Sequence, residues 1–164
     1  MVRNIHERQL AAPASAVSAL IDSLATPDDR LWPRDRWPAM RFDRPLGVGA
    51  RGGHGPVRYT VVAYRPGTRV RFEFSAPAGF RGYHEYEALP QAGRRCLLRH
   101  SLVMTTRWPA RLSWPVLYRP LHDALIEDSL DTAARHLGLT VAAPRRWTPW
   151  VRLLRSLLRR RAPS

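Results

Sequence analysis

The feature that most constrains the fold of this chain is a run of four segments in which apolar and polar residues alternate. The segments cover residues 57–65, 69–75, 80–89 and 95–106, and turn signals lie between them. The clearest turn is Arg65-Pro66-Gly67-Thr68, with proline and glycine at its central positions. Such alternation, interrupted by short turns, predicts an antiparallel meander. The 15 prolines exclude a long helical bundle or coiled coil.

Helices flank this meander on both sides. Residues 2–11 are predicted as a first strand, and an apolar stripe at helical spacing predicts a helix from 14 to about 25. We expect a second, short helix over residues 30–32. The longest helix is predicted over residues 118–137, with Gly138 as its C-cap. In a chain of 164 residues, this order predicts one α+β domain in which a curved antiparallel sheet wraps around the last helix.

Residues 47–56 contain five glycines, a composition that phosphate-binding loops share. No Lys-Ser or Lys-Thr pair follows them, and the next element is a strand rather than a helix, so the requirements of such a loop are not met. The glycines are therefore expected to allow a bulge or a tight bend into a curved sheet.

Three residue runs carry a resemblance to a known superfamily. They are AAPASAVSALIDS after the first strand, YRPGTRVRFEF in the central hairpin and LYRPLHDALIEDSLDTAARHLG in the last helix. With the order of elements, they resemble the START-like superfamily of the helix-grip fold (SRPBCC), which includes polyketide cyclases/dehydrases and lipid-transfer domains. The resemblance covers residues 2–138 and implies a cavity for an apolar or amphipathic molecule between the sheet and the C-terminal helix. It carries over no catalytic motif, because catalytic residues differ between subgroups.

Three histidines are predicted to point into the space between the sheet and the last helix. His122 lies near the centre of the apolar arc of that helix. By strand parity, His84 and His100 lie on the inner faces of neighbouring strands. A three-residue loop at 91–93 places these two directly opposite each other, with Cβ atoms about 5 Å apart.

Four roles stay open for these candidate catalytic residues, His84, His100 and His122. They can perform acid/base catalysis, orient a ligand, bind a metal or be satisfied core residues. A metal is the least expected role because no compact spacing such as HxxxH occurs, and we expect no cofactor. The predicted ligand-binding wall combines these histidines with Tyr59, Val61, Phe72, Phe74, Tyr86, Met104, Leu125 and Ile126.

Other polar residues point less clearly to a site. Asp123, Glu127 and Asp131 recur at every fourth position on the outer face of the last helix, which we expect to be solvated. Cys96 is the only cysteine, which excludes a disulfide scaffold, and we expect it to be a small core residue.

Half of the net charge of +14 lies in a short tail. Residues 139–164 contain seven arginines and no acidic residue, and residues 150–161 (WVRLLRSLLRRR) predict a basic amphipathic helix. We divide the chain into a helix-grip ligand-binding domain, 1–138, and a basic amphipathic tail, 139–164. The tail is expected to pack on its own domain or a second copy, or to dock on an anionic membrane surface or a protein partner.

The predicted function is binding of a lipid-like or polyketide-like small molecule. One alternative adds His-mediated cyclisation or dehydration, and the other is a non-catalytic carrier or sensor. No apolar run is long enough to span a membrane, and residues 1–10 contain no signal core. We therefore expect a cytoplasmic protein, peripheral to the inner membrane face if the tail docks there. Nucleic acid is not an expected partner, because no binding motif occurs, and a homo-oligomer stays open.

Overall fold

The computed structural model describes residues 1–160, which contain one antiparallel sheet of seven strands and four α-helices. The strands are β1 Val2–Leu10, β2 Arg41–Phe42, β3 Arg51–His54, β4 Val57–Arg65, β5 Arg69–Ala76, β6 Phe80–Gln91 and β7 Arg95–Thr106. The helices are α1 Ala14–Asp22, α2 Ala110–Ser113, α3 Arg119–His136 and α4 Pro149–Arg160, and a π-helical turn, Trp114–Tyr118, joins α2 to α3. The predicted meander is confirmed.

The sheet has the strand order β1-β7-β6-β5-β4-β3-β2 and packs against α3. Pairing between β1 and β7 brings the first and last strands together, so the meander continues into the first strand. Two register shifts within β4 add local twist and curvature to the sheet. The predicted α+β helix-grip architecture is confirmed. No helix among residues 1–160 has both the length and the hydropathy needed to cross a membrane.

The long helix ends as predicted. Gly138 has a φ of 72°, and the N–H of Leu139 donates a hydrogen bond to the carbonyl of Ala134. Glycine takes this left-handed conformation without steric cost and so satisfies a carbonyl at the helix end.

The segment between α1 and β2 is closed by side-chain hydrogen bonds, and the short helix predicted over residues 30–32 is wrong. The carboxylate of Asp29 accepts hydrogen bonds from the N–H groups of Ala25, Leu31 and Trp32 at 2.8–3.0 Å. An aspartate that binds nearby backbone donors in this way replaces the bonds a helix would make and favours turns.

The glycine run allows three backbones to approach closely at the edge of the sheet. A Cβ on Gly52 would lie 1.9 Å from the carbonyl oxygen of Arg41, and a Cβ on Gly53 would lie 1.9 Å from that of Val57. Only a residue without a side chain fits between β2, β3 and β4 at these points. Gly52 and Gly53 therefore allow the close approach of these three strands at the sheet edge.

The β6–β7 hairpin has the predicted loop length but a different register. Ala92, Gly93 and Arg94 form the loop, His84 lies opposite Leu102, and Tyr86 lies opposite His100. The predicted direct pairing of His84 with His100 is wrong by two residues. Because a shift of two preserves the face of each side chain, the two histidines still lie on the same side of the sheet, as diagonal neighbours.

The outer face of α3 was expected to be solvated, and this expectation is wrong because β1 covers it. Three alternate side chains of β1 contact the acidic residues of this face, which are Asp123, Glu127 and Asp131. Asn4 donates to Asp123, His6 contacts both Asp123 and Glu127, and Arg8 contacts Glu127 and Asp131. The side chain of Asp131 is only 2% exposed. Polar residues at helical spacing therefore fix α3 to the sheet edge.

Candidate functional site

A cavity of about 230 Å³ lies between the inner face of the sheet and α3, and it is partly open to solvent. Strands β5, β6 and β7 line one wall, and the π-helical turn and α3 line the other. Three other segments complete the lining: residues 32–38 before β2, residues 54–57 at the turn between β3 and β4, and the C-terminal α4. The lining is predominantly apolar and aromatic, which is the usual character of a small-molecule site.

Six of the sequence-predicted site residues line this cavity and five do not. The six are Phe74, His84, His100, His122, Leu125 and Ile126. The other five are buried in the packing around the cavity without lining it: Tyr59, Val61, Phe72, Tyr86 and Met104. Strand parity gives the inner face correctly for these residues, but it does not tell which inner positions border a void.

The centre of the site is a contact between two buried imidazoles. His84 Nδ1 lies 3.3 Å from His100 Nε2, within hydrogen-bond distance. His84 is 4% exposed and His100 is 1% exposed. Among residues 1–160, neither His84 Nε2 nor His100 Nδ1 has a hydrogen-bond partner, although both atoms are buried. A buried nitrogen without a partner costs about 1–3 kcal/mol, which a polar group that reached either atom would recover.

Aromatic rings surround this pair on the sheet side. Phe72 and Phe74 stack on His84 at ring-centre distances of 4.8 and 5.1 Å, and Tyr59 meets the same ring edge-on at 4.8 Å. Tyr86 packs edge-on against His100 at 4.7 Å. These contacts fix both imidazole planes and exclude water from their faces.

Burial keeps the cavity histidines neutral. It lowers the pKa of His84 and of His100 well below the ordinary value of 6.5, and the neighbouring histidines lower both further. The pKa of His54 falls to about 3 for the same reason. Removing an imidazolium from water is costly, so these rings act in their uncharged form at neutral pH.

His122 approaches the pair from α3. Its ring centre lies 5.1 Å from that of His100, and its Nδ1 lies 3.5 Å from Asp123 Oδ1. Burial lowers the pKa of His122, and the Asp123 carboxylate offsets part of that effect. His122 Nε2 is buried and has no hydrogen-bond partner among the described residues.

Behind His122 lies an ion-pair network that contains His6. Burial lowers the pKa of His6, but hydrogen bonds to Asp123 and Glu127 outweigh it, so the net pKa is raised. Ligand atoms of His6, His122 and Asp123 lie within 4.8 Å of one another, a spacing that a metal ion can bridge. Arg8 also lies 3.1 Å from Glu127. The guanidinium and the raised pKa of His6 favour an ion-pair network over a metal site.

Several residues outside the predicted ligand-binding wall also line the cavity. Trp32, Trp37 and Trp114 belong to Trp-Pro steps, which mark element boundaries in the sequence, and all three line the cavity. His54 lines it too, and its Nδ1 lies 3.1 Å from the hydroxyl of Tyr59. The glycine run around His54 and the recurrence of Trp-Pro were the available signals.

The helix α4 packs on the same core and borders the cavity. Val151 and Leu154 are buried, and Arg155 and Leu158 line the cavity. The Arg155 guanidinium stacks 4.4 Å from the ring centre of Trp37 and donates a hydrogen bond to the carbonyl of Arg36. The apolar stripe of the tail was predicted, and packing on its own domain was one of the targets that the sequence left open. Arg161, which ends the predicted amphipathic segment, lies outside the described residues.

Comparison with solved structures shows which fold this is. A protein from Thermobifida fusca is 18% identical, with a TM-score of 0.61 over 82% of this chain and 95% of that one. CalU16 from Micromonospora echinospora is 14% identical, with a TM-score of 0.58 over 95% of this chain and 83% of that one. Truncated norcoclaurine synthase from Thalictrum flavum is 15% identical, with a TM-score of 0.60 over 85% of this chain and 96% of that one.

Comparison of sequences gives no match: no protein-family model and no curated protein matches this chain. At the identities of the structural neighbours, the likeness establishes architecture rather than activity. The sheet, the long α3 and the cavity between them agree with the resemblance found in the sequence. This chain therefore has the helix-grip fold of the START-like (SRPBCC) proteins.

Proposed function

We propose that this protein binds a small, largely apolar molecule in the cavity between the sheet and α3, and that the molecule carries at least one polar group such as a carbonyl or hydroxyl. The observation that carries the proposal is the set of buried imidazole nitrogens without partners among residues 1–160: His84 Nε2, His100 Nδ1 and His122 Nε2. In an otherwise apolar lining, such nitrogens give orientation and specificity to a ligand.

Acid/base chemistry by these histidines is the finer form of the proposal. The cavity lining is largely apolar and the imidazoles are neutral, so they can accept or donate a proton at a bound carbonyl compound. One structural neighbour is an enzyme by its name, norcoclaurine synthase, and another structure of it contains a transition-state analogue. A cyclase-like or dehydratase-like reaction on a polyketide-like molecule is consistent with this chemistry. Substitutions His84→Ala and His122→Ala then abolish turnover but leave most of the binding affinity.

Ligand binding is tested by calorimetry with benzoylacetone, a small aromatic diketone. We expect saturable binding with one molecule per chain. The variant Leu121→Trp fills space at a cavity-lining position of α3 and should weaken binding by about tenfold or more. The control Leu112→Trp changes an exposed residue of α2, 61% exposed, and should bind as the parent does. Equal affinity of both variants, or no binding by the parent, contradicts the proposal.

A second candidate function, docking on an anionic membrane, rests on a separate observation. Although Val151 and Leu154 are buried, α4 leaves Trp150, Leu153 and Leu157 between 43% and 48% exposed. Trp150 Nε1 also donates a hydrogen bond to the carbonyl of Val116, which connects α4 to the π-helical turn.

The chain around this contact exposes further apolar and basic groups. Trp108, Leu112 and Val116 are each more than half exposed, and Arg111 and Arg152 are exposed nearby in sequence. Residues 105–122 and 137–164 contain no acidic residue. Exposed tryptophan and leucine beside arginine match the interface of an anionic bilayer, and such docking is consistent with a non-catalytic carrier.

Vesicle sedimentation tests the docking proposal. We expect the protein to bind vesicles that contain phosphatidylglycerol and to be released by high salt, since the attraction is partly electrostatic. The variant Leu153→Glu/Leu157→Glu should lose binding, whereas Val62→Glu, at an exposed position of β4, should not. Deletion of the tail is a poorer test because it removes Val151 from the core. Equal binding to neutral vesicles, or none at low salt, contradicts docking.

A further inference from the structure

The contact between His84 and His100 has a consequence for proton transfer. Only one hydrogen fits between His84 Nδ1 and His100 Nε2, which lie 3.3 Å apart. A neutral imidazole carries one N–H, so the position of the shared hydrogen determines the tautomer of both rings.

The pair therefore has two neutral forms. When His84 donates, its Nε2 is a bare acceptor and His100 carries its proton on Nδ1. When His100 donates, its Nδ1 is the bare acceptor and His84 carries its proton on Nε2. The two outer nitrogens, His84 Nε2 and His100 Nδ1, are both buried and have no partner among residues 1–160. In each form of the pair, one of these nitrogens is a hydrogen-bond donor and the other is an acceptor.

We propose that His84 and His100 act as one coupled tautomeric unit that moves a proton between two positions of an enolisable carbonyl compound without either ring becoming charged. This inference rests on the proposed binding of such a molecule in the cavity, and it assigns the reaction class, isomerisation by proton transfer.

The step balances in atoms and charge. His84 Nε2 removes a proton from the carbon beside the carbonyl, and the C–H electron pair forms a carbon–carbon double bond. The shared hydrogen moves from His84 Nδ1 to His100 Nε2, and His100 Nδ1–H gives its proton to the carbonyl oxygen, whose π electrons form the new O–H bond. The product is the neutral enol, and the pair is left in its other form.

The second form of the pair completes the cycle. His100 Nδ1 takes the proton back from the enol oxygen, and His84 Nε2–H protonates a carbon of the conjugated system. If that carbon differs from the first, the double bond has moved. The pair then returns to its starting form, so neither an oxidant nor a water molecule is consumed. A β-dicarbonyl compound or an unsaturated ketone is the substrate class that fits.

The surroundings favour a neutral mechanism over one that passes through imidazolium. The titratable groups that face the pair are Tyr59 from β4, Tyr86 from β6, His54 from β3, and His122 from α3, beyond which lie Asp123 and His6. Burial raises the pKa of Tyr59 and of Tyr86, so both phenols keep their protons. No carboxylate in the described residues hydrogen-bonds to either ring of the pair to stabilise a positive charge there.

Nitrogen NMR of the imidazole side chains in the full-length protein tests the coupling directly. Between about pH 6 and pH 8, both rings should be neutral and should show the same tautomer, or the same mixture of tautomers. In His100→Gln, the tautomer of His84 should shift. Opposite tautomers on the two rings, or an imidazolium on either ring in this range, would overturn the proposal.

Rates of keto–enol interconversion of bound benzoylacetone test the reaction. We expect His84→Asn, which can keep the contact to His100 but has no outer nitrogen, to lower the rate about 100-fold, and His100→Gln to do the same. The double variant should lose no more than either single one, and the exposed His136→Gln should keep the parent rate.

The outcomes separate this proposal from the one on which it rests. Losses that multiply in the double variant, or a single variant with the parent rate, refute the coupled pair while calorimetric binding still supports the cavity as a ligand site. Absence of calorimetric binding refutes the proposed function, and the coupled reaction with it.

Discussion

Acidification should unfold this protein at a pH where most proteins of its size are still stable, because the site contains histidines that stay neutral in the folded state. The pKa of His54 is about 3, and those of His84 and His100 are well below 6.5. In the unfolded chain each of them titrates near 6.5. As the pH falls through that value, the unfolded state binds protons that the folded state does not, so stability is lost toward acid.

The magnitude follows from proton linkage. Each such histidine costs about 1.4 kcal/mol per pH unit once the pH is well below 6.5, or roughly 2 kcal/mol between neutral pH and about pH 5. Three together cost about 6 kcal/mol, which is a large part of the 5–15 kcal/mol that typically stabilises a domain. His122 adds to the loss. His6 does not mask it, because its raised pKa gives stability that is already complete below 6.5.

Urea unfolding at constant ionic strength, measured at a series of pH values, gives the slope of unfolding free energy against pH. We expect a slope that approaches about 4 kcal/mol per pH unit near pH 5. His100→Gln should reduce it by about a third, and the exposed His136→Gln is the control. A slope below about 1 kcal/mol per unit in this range would refute the claim that the cavity histidines are neutral.

Three substitutions test the packing around the site. Arg8→Ala removes an ion-pair partner 2.7 Å from the buried Asp131 and should lower the free energy of unfolding in urea by about 2–3 kcal/mol. A loss under about 0.5 kcal/mol would contradict the conclusion that the polar side chains of β1 fix α3 to the sheet edge. Gly52→Ala should lower the free energy of unfolding by about 1–3 kcal/mol because the new Cβ meets the carbonyl of Arg41. The control Gly47→Ala has 3.8 Å of clearance and should be nearly neutral, and equal effects of the two variants would contradict the close approach of β2 and β3. Asp128→Asn weakens the acceptor for the indole N–H groups of Trp37 and Trp147 and should lower the melting temperature by several degrees, and an unchanged melting curve would mean that these bonds do not tie α4 to the domain.

The sequence predicts the fold well because two periodicities dominate it. Alternation in β4 to β7 and the apolar arc of α3 determine which faces meet, and Pro66-Gly67 fixes one turn. The exact register of β6 and β7 was out of reach, because Gln91 to Arg94 offers two three-residue loops of the same parity. Parity alone places His84 and His100 on one face, and only the register makes them diagonal neighbours.

Residues that require distant partners could not be placed from the sequence. Asp123, Glu127 and Asp131 match a solvated helix face until β1 is known to lie beside α3 with Asn4, His6 and Arg8 turned toward it. The tail shows the same limit. An amphipathic helix needs an apolar surface, but its pattern does not distinguish its own domain from a membrane. In the structure one face of α4 packs on the domain and another face is exposed.

Native mass spectrometry of the protein as purified tests the central claim most directly, because a ligand in the cavity adds its own mass. We expect a species heavier than the chain by one small organic molecule, or by one benzoylacetone when that is supplied, and the fraction carrying the extra mass should fall in Leu121→Trp but not in Leu112→Trp. A bare chain mass under all these conditions, from protein whose thermal unfolding shows it to be folded, would contradict the claim that the histidine-lined cavity binds a small molecule.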